Sequence, residues 1–292
     1  MAKTLKEGFD MFISWLVPLS TEHEIAKKHK DSVYSCMYNN FKCYKLFETG
    51  SFGNNTSVRH YSDIDYFAVC PTEELWDNST YTLDRVKVAL KSTFSRTSGI
   101  GISTPAVQIP FGKYTSENLE VTPCTFYGLV ETPVGKKTAY YIANVEGGWF
   151  KASPTAHNAY VDRENERLGG KLKPLIQLVK AWKFYNNVPI TSFYIELRVT
   201  KYAESEDSIV YHIDLKRIIK SLLNINLASI IDPMGISGLI SACSTDTKKT
   251  ESISKLNTAF TRASKAVELG NIDLDKAFYW WDMFFNNEFP SR

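Results

Sequence analysis

One stretch, residues 50–65, decides how this chain is interpreted, and it reads GSFGNNTSVRHYSDID. A Gly-Ser pair lies at the end of a run, Tyr44 to Thr49, that is typical of a β-strand. Eleven residues separate that pair from an Asp-x-Asp, which opens a second run of aliphatic and aromatic residues, Ile64 to Cys70. The sequence therefore predicts two strands joined by a polar loop, with the Gly-Ser pair at one end of the loop and two aspartates at the other.

The residue types in this stretch suit one kind of chemistry. Residues two apart on a strand point to the same face, so Asp63 and Asp65 present two carboxylates side by side. Hard oxygen ligands of this kind suit Mg²⁺ held together with a triphosphate. Gly50 lets the backbone approach a phosphate closely, and Ser51 adds a hydroxyl donor. The Gly-Ser pair alone or the Asp-x-Asp alone is typical of an ordinary turn or strand edge. The two together favour a site for a nucleotide and a metal ion.

The stretch resembles a known family. G-S-x11-D-x-D is the signature of the polymerase-β-like nucleotidyltransferase superfamily, and GSFGNNTSVRHYSDID resembles the cGAS/DncV-like nucleotidyltransferases (CD-NTases) of bacterial CBASS anti-phage systems. The later segments LIQLVKAW, ITSFYIE and WWDMFFNNEFP resemble the second lobe of the same group. The resemblance implies an enzyme that joins nucleoside triphosphates, such as ATP and GTP, into a cyclic dinucleotide or trinucleotide. A separate effector protein would read that second messenger.

The resemblance also assigns roles to residues outside the loop. The family uses a third carboxylate three residues before a proline, and LEVTPC places Glu120 there, with Glu where Asp is usual. Asp63, Asp65 and Glu120 would then hold two Mg²⁺ ions, with Mn²⁺ as an alternative. By the same resemblance, Lys180 and Ser192 contact the donor triphosphate and Phe193 stacks on the donor base.

The fold class implied is α/β (α+β), a bilobed nucleotidyltransferase with its active site in a cleft. We expect residues 1–150 to form a catalytic lobe built on a mixed sheet, and residues 151–292 to form a helical lobe that completes the nucleotide cleft. Thr21 and Glu24 form a capping box, which predicts a long spine helix over 21–40. Helices are also predicted near 208–224, 251–269 and 272–284, with a polar loop over 245–252.

Composition narrows the function classes. The chain has 292 residues, of which 43% are hydrophobic and 23% charged, with 34 Lys and Arg against 32 Asp and Glu. This near balance does not favour binding to nucleic acid through bulk charge, so we expect activity without DNA or RNA. The apolar run from Met11 to Leu19 is too short to span a membrane. Five scattered cysteines match no zinc spacing, and we expect reduced thiols in a cytoplasmic monomer.

Two alternatives to a cyclic-nucleotide synthase stay open at this point. One is a template-independent transferase that acts on RNA or on a protein. The near-neutral charge of the chain disfavours RNA as the substrate. The long helical C-terminal half disfavours the protein-modifying transferases, which are short. The other alternative is a non-catalytic nucleotide sensor on the same fold, which gains weight only if Glu120 is unable to bind metal.

Overall fold

The structure is a computed structural model that describes residues 2–19, 24, 28–112 and 118–292. The chain folds into two compact units, which are named here for their content. The sheet unit comprises Pro18–Ala159 with Met234–Ser237, and the helical unit comprises Met1–Val17, Tyr160–Pro233 and Gly238–Arg292. The chain passes from the sheet unit to the helical unit between Ala159 and Tyr160, and the N-terminal segment belongs to the helical unit.

Among the residues described, seven strands of the sheet unit form one mixed sheet in the order β1-β2-β5-β4-β3, and β6 joins β5 to β7. The pair β2–β5 is parallel and the other pairs are antiparallel. The strands are β1 Lys45–Thr49, β2 Ile64–Val69, β3 Gly101–Ser103, β4 Ala106–Pro110, β5 Asn118–Val130, β6 Lys137–Ala143 and β7 Trp149–Ala152.

The side chains of β2 alternate between the two faces of the sheet, and each face packs into its own buried cluster. Ile64, Tyr66 and Ala68 point into a buried cluster with residues of two helices that cover this face. Phe67 and Val69 point the other way, into a smaller cluster with β6. Because side chains alternate along a strand, Asp65 lies on the face away from the helices.

Ten helices are described along the chain, together with a short 3-10 turn at Thr72–Glu74 and a two-stranded ribbon, β8 Ile230–Ile231 with β9 Leu239–Ile240. The helices are α1 Leu5–Leu16, α2 Lys30–Phe41, α3 Gly50–Gly53, α4 Ser79–Thr93, α5 Pro154–Arg167, α6 Leu172–Tyr185, α7 Ser192–Ala203, α8 Tyr211–Asn224, α9 Asp246–Leu269 and α10 Leu274–Phe284. In the described part of the chain, none of them is both long and apolar enough to cross a membrane.

Helix α1 belongs to the helical unit because its apolar face packs on the end of the chain. Phe9 and Phe12 are spaced three apart and are almost fully buried. The ring of Phe9 lies 5.0 Å from that of Trp281, and the ring of Phe12 lies 4.6 Å from that of Phe285. Aromatic pairs at such distances contribute beyond their buried area. The segment WWDMFFNNEFP therefore holds the N-terminal helix in place.

Two helix predictions need correction. The helix expected over 21–40 is described from Lys30, since Lys28 and His29 form a turn, and Thr21 of the expected capping box lies outside the described residues. The polar loop expected over 245–252 is instead the first two turns of α9. Thr245 caps that helix, because its side chain accepts a hydrogen bond from the backbone of Lys248.

Candidate active site

The Gly-Ser turn is shaped by its contact with an aspartate. Strand β1 ends at Thr49, and Gly50 follows with φ +59°, in the left-handed region that favours glycine. A Cβ placed on Gly50 would lie 1.7 Å from Oδ2 of Asp65. Any side chain would therefore collide with that carboxylate. The sequence motif is explained by a close approach between the turn and the strand that carries Asp65.

The loop before Asp63 is held by its own hydrogen bonds. The hydroxyl of Ser62 accepts from the backbone N–H of Val58 at 2.9 Å, and the N–H of Ser62 donates to the carbonyl of Val58 at 3.0 Å. Val58 itself is fully buried. These contacts fix the chain just where it enters β2. Asp63 is thus presented from an ordered turn, two residues before Asp65.

Glu120 joins the two aspartates through strand pairing. In the parallel pair β2–β5, Asp65 lies directly opposite Glu120, so both side chains occupy the same face. Asp63, Asp65 and Glu120 each offer a carboxylate oxygen, and these oxygens all lie within 4.8 Å of one another. All three residues are half-buried. The structure therefore brings together the three carboxylates that the sequence and its resemblance nominated.

Electrostatics in this carboxylate cluster favour a bound cation. Burial, the charge of Asp63 and a hydrogen bond with Asp63 raise the pKa of Glu120 from its ordinary 4.5 to about 8. Crowded carboxylates disfavour full ionisation unless a positive charge joins them. Hard oxygen donors at this spacing fit Mg²⁺ or Mn²⁺. The donor set therefore suits the divalent cations that the resemblance implies.

The residues assigned to the nucleotide in the helical unit lie on α6 and α7. Lys180 is buried and forms an ion pair with Glu196, which is also buried. Ser192 is the first residue of α7, and its hydroxyl accepts a hydrogen bond from Lys183 at 2.9 Å. Phe193 keeps 37% of its surface exposed, in contrast to the almost fully buried Tyr194 beside it. The exposure of Phe193 does not match ordinary core packing.

The sequence prediction gives two residues of this group no nucleotide role, and in it Lys183 belongs to a solvated helix face. Glu196 is the last residue of ITSFYIE, and Lys183 follows the LVKAW segment by one position. Residues three or four apart on a helix share a face. By that spacing Lys183 shares a face with Lys180, and Glu196 shares a face with Ser192. This is the feature of the sequence that could have identified them. The partnerships across the two helices depend on tertiary packing.

Comparison with known proteins supports the resemblance. No protein-family profile matches the chain. A probable cyclic nucleotide synthase of Bacillus cereus strain VD146 is 25% identical, covering 100% of this chain and 99% of that protein. A cyclic AMP-AMP-AMP synthase of an Acinetobacter species is 25% identical over 84% of this chain and 72% of that protein.

Solved structures show the same fold. CdnC of Escherichia coli MS115-1 with ATP superposes with a TM-score of 0.74 at 17% identity, over 98% of both chains. DncV of Vibrio cholerae, a cyclic AMP-GMP synthase bound to a linear intermediate, gives 0.64 at 14% identity, over 98% of this chain and 89% of that one. CdnG of Bradyrhizobium diazoefficiens with GTP, described as a CD-NTase, gives 0.67 at 12% identity, over 97% and 99%. The expected bilobed fold is confirmed as the one that these solved structures share.

Proposed function

We propose that this chain is a nucleotidyltransferase that condenses nucleoside triphosphates into a cyclic dinucleotide or trinucleotide second messenger. The observation that carries the proposal is the cluster of Asp63, Asp65 and Glu120 beside the Gly-Ser turn. Relatives named as cyclic nucleotide synthases support the same activity. One of them is a cyclic AMP-AMP-AMP synthase, which supports ATP as a substrate, with GTP as a second candidate.

The carboxylates define the chemistry. Asp63 and Asp65 would each hold both of two divalent cations, Mg²⁺ or Mn²⁺, and Glu120 would hold one. Bound there, such cations activate a hydroxyl and offset negative charge on phosphate. A 3′- or 2′-hydroxyl attacks the α-phosphorus of a nucleoside triphosphate, a new phosphodiester bond forms, and pyrophosphate leaves. Glu120, as an ionised carboxylate, accepts the proton of the attacking hydroxyl.

Other residues of the chain would bind and orient the donor nucleotide. Gly50 allows the backbone to approach phosphate, and Ser51 donates its hydroxyl. By the family resemblance, Lys180 and Ser192 contact the triphosphate and Phe193 stacks on the base. The exposed ring of Phe193 supports stacking, which contributes roughly 1–3 kcal/mol per base. For Lys180 to contact a phosphate, its ion pair with Glu196 has to be shared or opened.

The wider biological role follows from the same resemblance. We propose that the chain acts as a monomer in the cytoplasm, where nucleoside triphosphates are available, and that a separate effector protein binds its product. The setting would be anti-phage signalling of the CBASS type. Neither DNA nor RNA is required in this proposal.

Product analysis tests the proposal directly. The purified chain is incubated with Mg²⁺ and the four nucleoside triphosphates, treated with phosphatase, and examined by thin-layer chromatography and mass spectrometry. A phosphatase-resistant product with the mass of a cyclic dinucleotide or trinucleotide is expected, and an Asp65→Asn sample should lack it. Label that ends on RNA or on protein would replace the proposal with a polymer-modifying transferase. Nucleotide binding without turnover would replace it with a sensor.

A further inference from the structure

Helices α6 and α7 carry two matched pairs of side chains, one turn apart. Lys180 and Lys183 share a face of α6, while Ser192 and Glu196 share a face of α7. Lys180 pairs with Glu196, and Lys183 donates to the hydroxyl of Ser192 at 2.9 Å. All four residues belong to the helical unit, so these contacts lie within one compact body.

The two pairs differ in charge balance and burial. The inner pair joins a cation to an anion, and both side chains are buried. Pulling Lys180 away from Glu196 would leave a buried carboxylate without its main counter-charge, which is costly. The outer pair joins a cation to a neutral hydroxyl, and Lys183 is half-buried. The ammonium of Lys183 also lies 4.3 Å from the ring centre of Phe184.

From this arrangement we propose that Lys183 contacts the triphosphate of the bound nucleotide together with Ser192. The proposal rests on the proposed function, in which Ser192 meets the triphosphate. A serine hydroxyl can accept from Lys183 while donating its own proton to a phosphate oxygen. A phosphate at hydrogen-bond distance from Ser192 therefore lies within reach of the Lys183 ammonium, and charge-assisted hydrogen bonds are the stronger kind. Lys180, through its ion pair with Glu196, also holds α6 to α7.

Binding measurements with a non-reactive nucleotide test this assignment. Isothermal titration calorimetry with α,β-methylene-ATP and Mg²⁺ gives the affinity for a triphosphate, and competition by adenosine gives the affinity for the nucleoside alone. We expect Lys183→Met to weaken α,β-methylene-ATP about 10- to 100-fold, as for loss of a charged hydrogen bond. Adenosine binding should change little, and Lys183→Arg should retain most of the affinity for the triphosphate.

A matched control separates the local contact from general loss of positive charge. Lys201 lies on the same helix as Ser192, nine residues further along and about 13 Å away by helix rise. It is exposed and pairs with Glu204. Lys201→Met therefore removes the same charge from the same unit, and its affinity for α,β-methylene-ATP should equal that of the wild type.

A double-mutant cycle between Lys183→Met and Ser192→Ala gives a second reading, because groups that serve one phosphate are not additive. Unchanged triphosphate affinity in Lys183→Met would overturn the assignment, as would an equal loss for adenosine. If Lys183→Met does not fold, the same comparison is made with Lys183→Gln. A wild-type chain that binds no nucleotide would instead contradict the proposed function itself.

Discussion

At the scale of single residues, the proposed activity depends most on Asp63 and Asp65. Replacing either by Asn keeps size and shape but removes a negative oxygen ligand. We expect product formation to fall by about 10³-fold or more, since metal ligation supplies several kcal/mol at the transition state. Radiolabelled ATP with chromatographic separation measures the rate. Asp77→Asn, an exposed carboxylate of the same unit, is the control. A tenth of wild-type turnover in either variant would contradict the site assignment.

Glu120 gives the metal-free protein a pH dependence of its own. Its pKa is about 8 in the folded chain against an ordinary 4.5. Between these values the folded state holds a proton that the unfolded state has released. The contribution of Glu120 to stability therefore falls as pH rises through this window. We expect the melting temperature of wild type, relative to Glu120→Gln in EDTA, to be lower at pH 8 than at pH 5.

The same property predicts how cation binding changes with pH. A divalent cation bound to Glu120 displaces the shared proton, so the proton competes with the metal below pH 8. Added Mn²⁺ should raise the melting temperature of wild type more at pH 8 than at pH 6. The rise should be smaller in Glu120→Gln at both values. An equal effect of Mn²⁺ at the two pH values would show that Glu120 is not the competing group.

At the scale of elements, the sequence predicts well what local periodicity determines. The strands around the motif lie where they were expected, since β2 is a short run of aromatic and aliphatic residues, all of them buried except Asp65. The meeting of Asp65 and Glu120 depends on the parallel register of β2 and β5, which no local pattern contains. Only the family resemblance indicated it. The contacts Lys180–Glu196 and Lys183–Ser192 arise in the same way, from the packing of two helices.

The packing of helix α1 could not be predicted from the sequence, because its partners lie far away along the chain. Its apolar face is readable, but the aromatic residues that cover it lie roughly 270 positions further along. Chain order alone therefore places residues 1–17 with the sheet. The boundary between the two units lies inside helix α5. The sequence of α5 does not indicate that boundary, because its helical pattern is continuous across Ala159 and Tyr160.

The role of α1 predicts a stability effect. Phe12 is almost fully buried against Phe285, and its truncation to Ala should destabilise the chain by about 3–5 kcal/mol. Trp15 on the same helix is 49% exposed, so Trp15→Ala should cost far less. Urea unfolding followed by circular dichroism compares the two variants. Equal midpoints would mean that α1 is not an integral part of the helical unit.

At the scale of the whole molecule, charge is nearly balanced. Lys and Arg number 34 against 32 Asp and Glu, a formal net charge of +2. Several lysines and arginines form ion pairs or donate to backbone carbonyls. Arg167, for example, pairs with Glu164 and donates to the carbonyl of Ala203. A protein that grips duplex DNA productively neutralises several phosphates with clustered basic side chains. The overall charge therefore does not favour binding of a nucleic acid through bulk charge.

This balance leads to the prediction that the purified chain makes its product without added nucleic acid. The animal cyclic GMP-AMP synthase, to whose family the loop motif bears resemblance, requires duplex DNA and grips it with a basic surface and a zinc-bound Cys/His insertion. Here the five cysteines are scattered and no such spacing occurs in the sequence. Initial rates with nucleoside triphosphates and Mg²⁺ are compared alone and with saturating duplex DNA or RNA, and they should agree within about two-fold, too small a change in barrier to reflect an essential activator. Raising the salt concentration should then lower the reaction rate only by weakening the binding of the charged triphosphate. A strict requirement for either polymer would overturn the prediction, and it would imply a basic face assembled from residues distant in sequence.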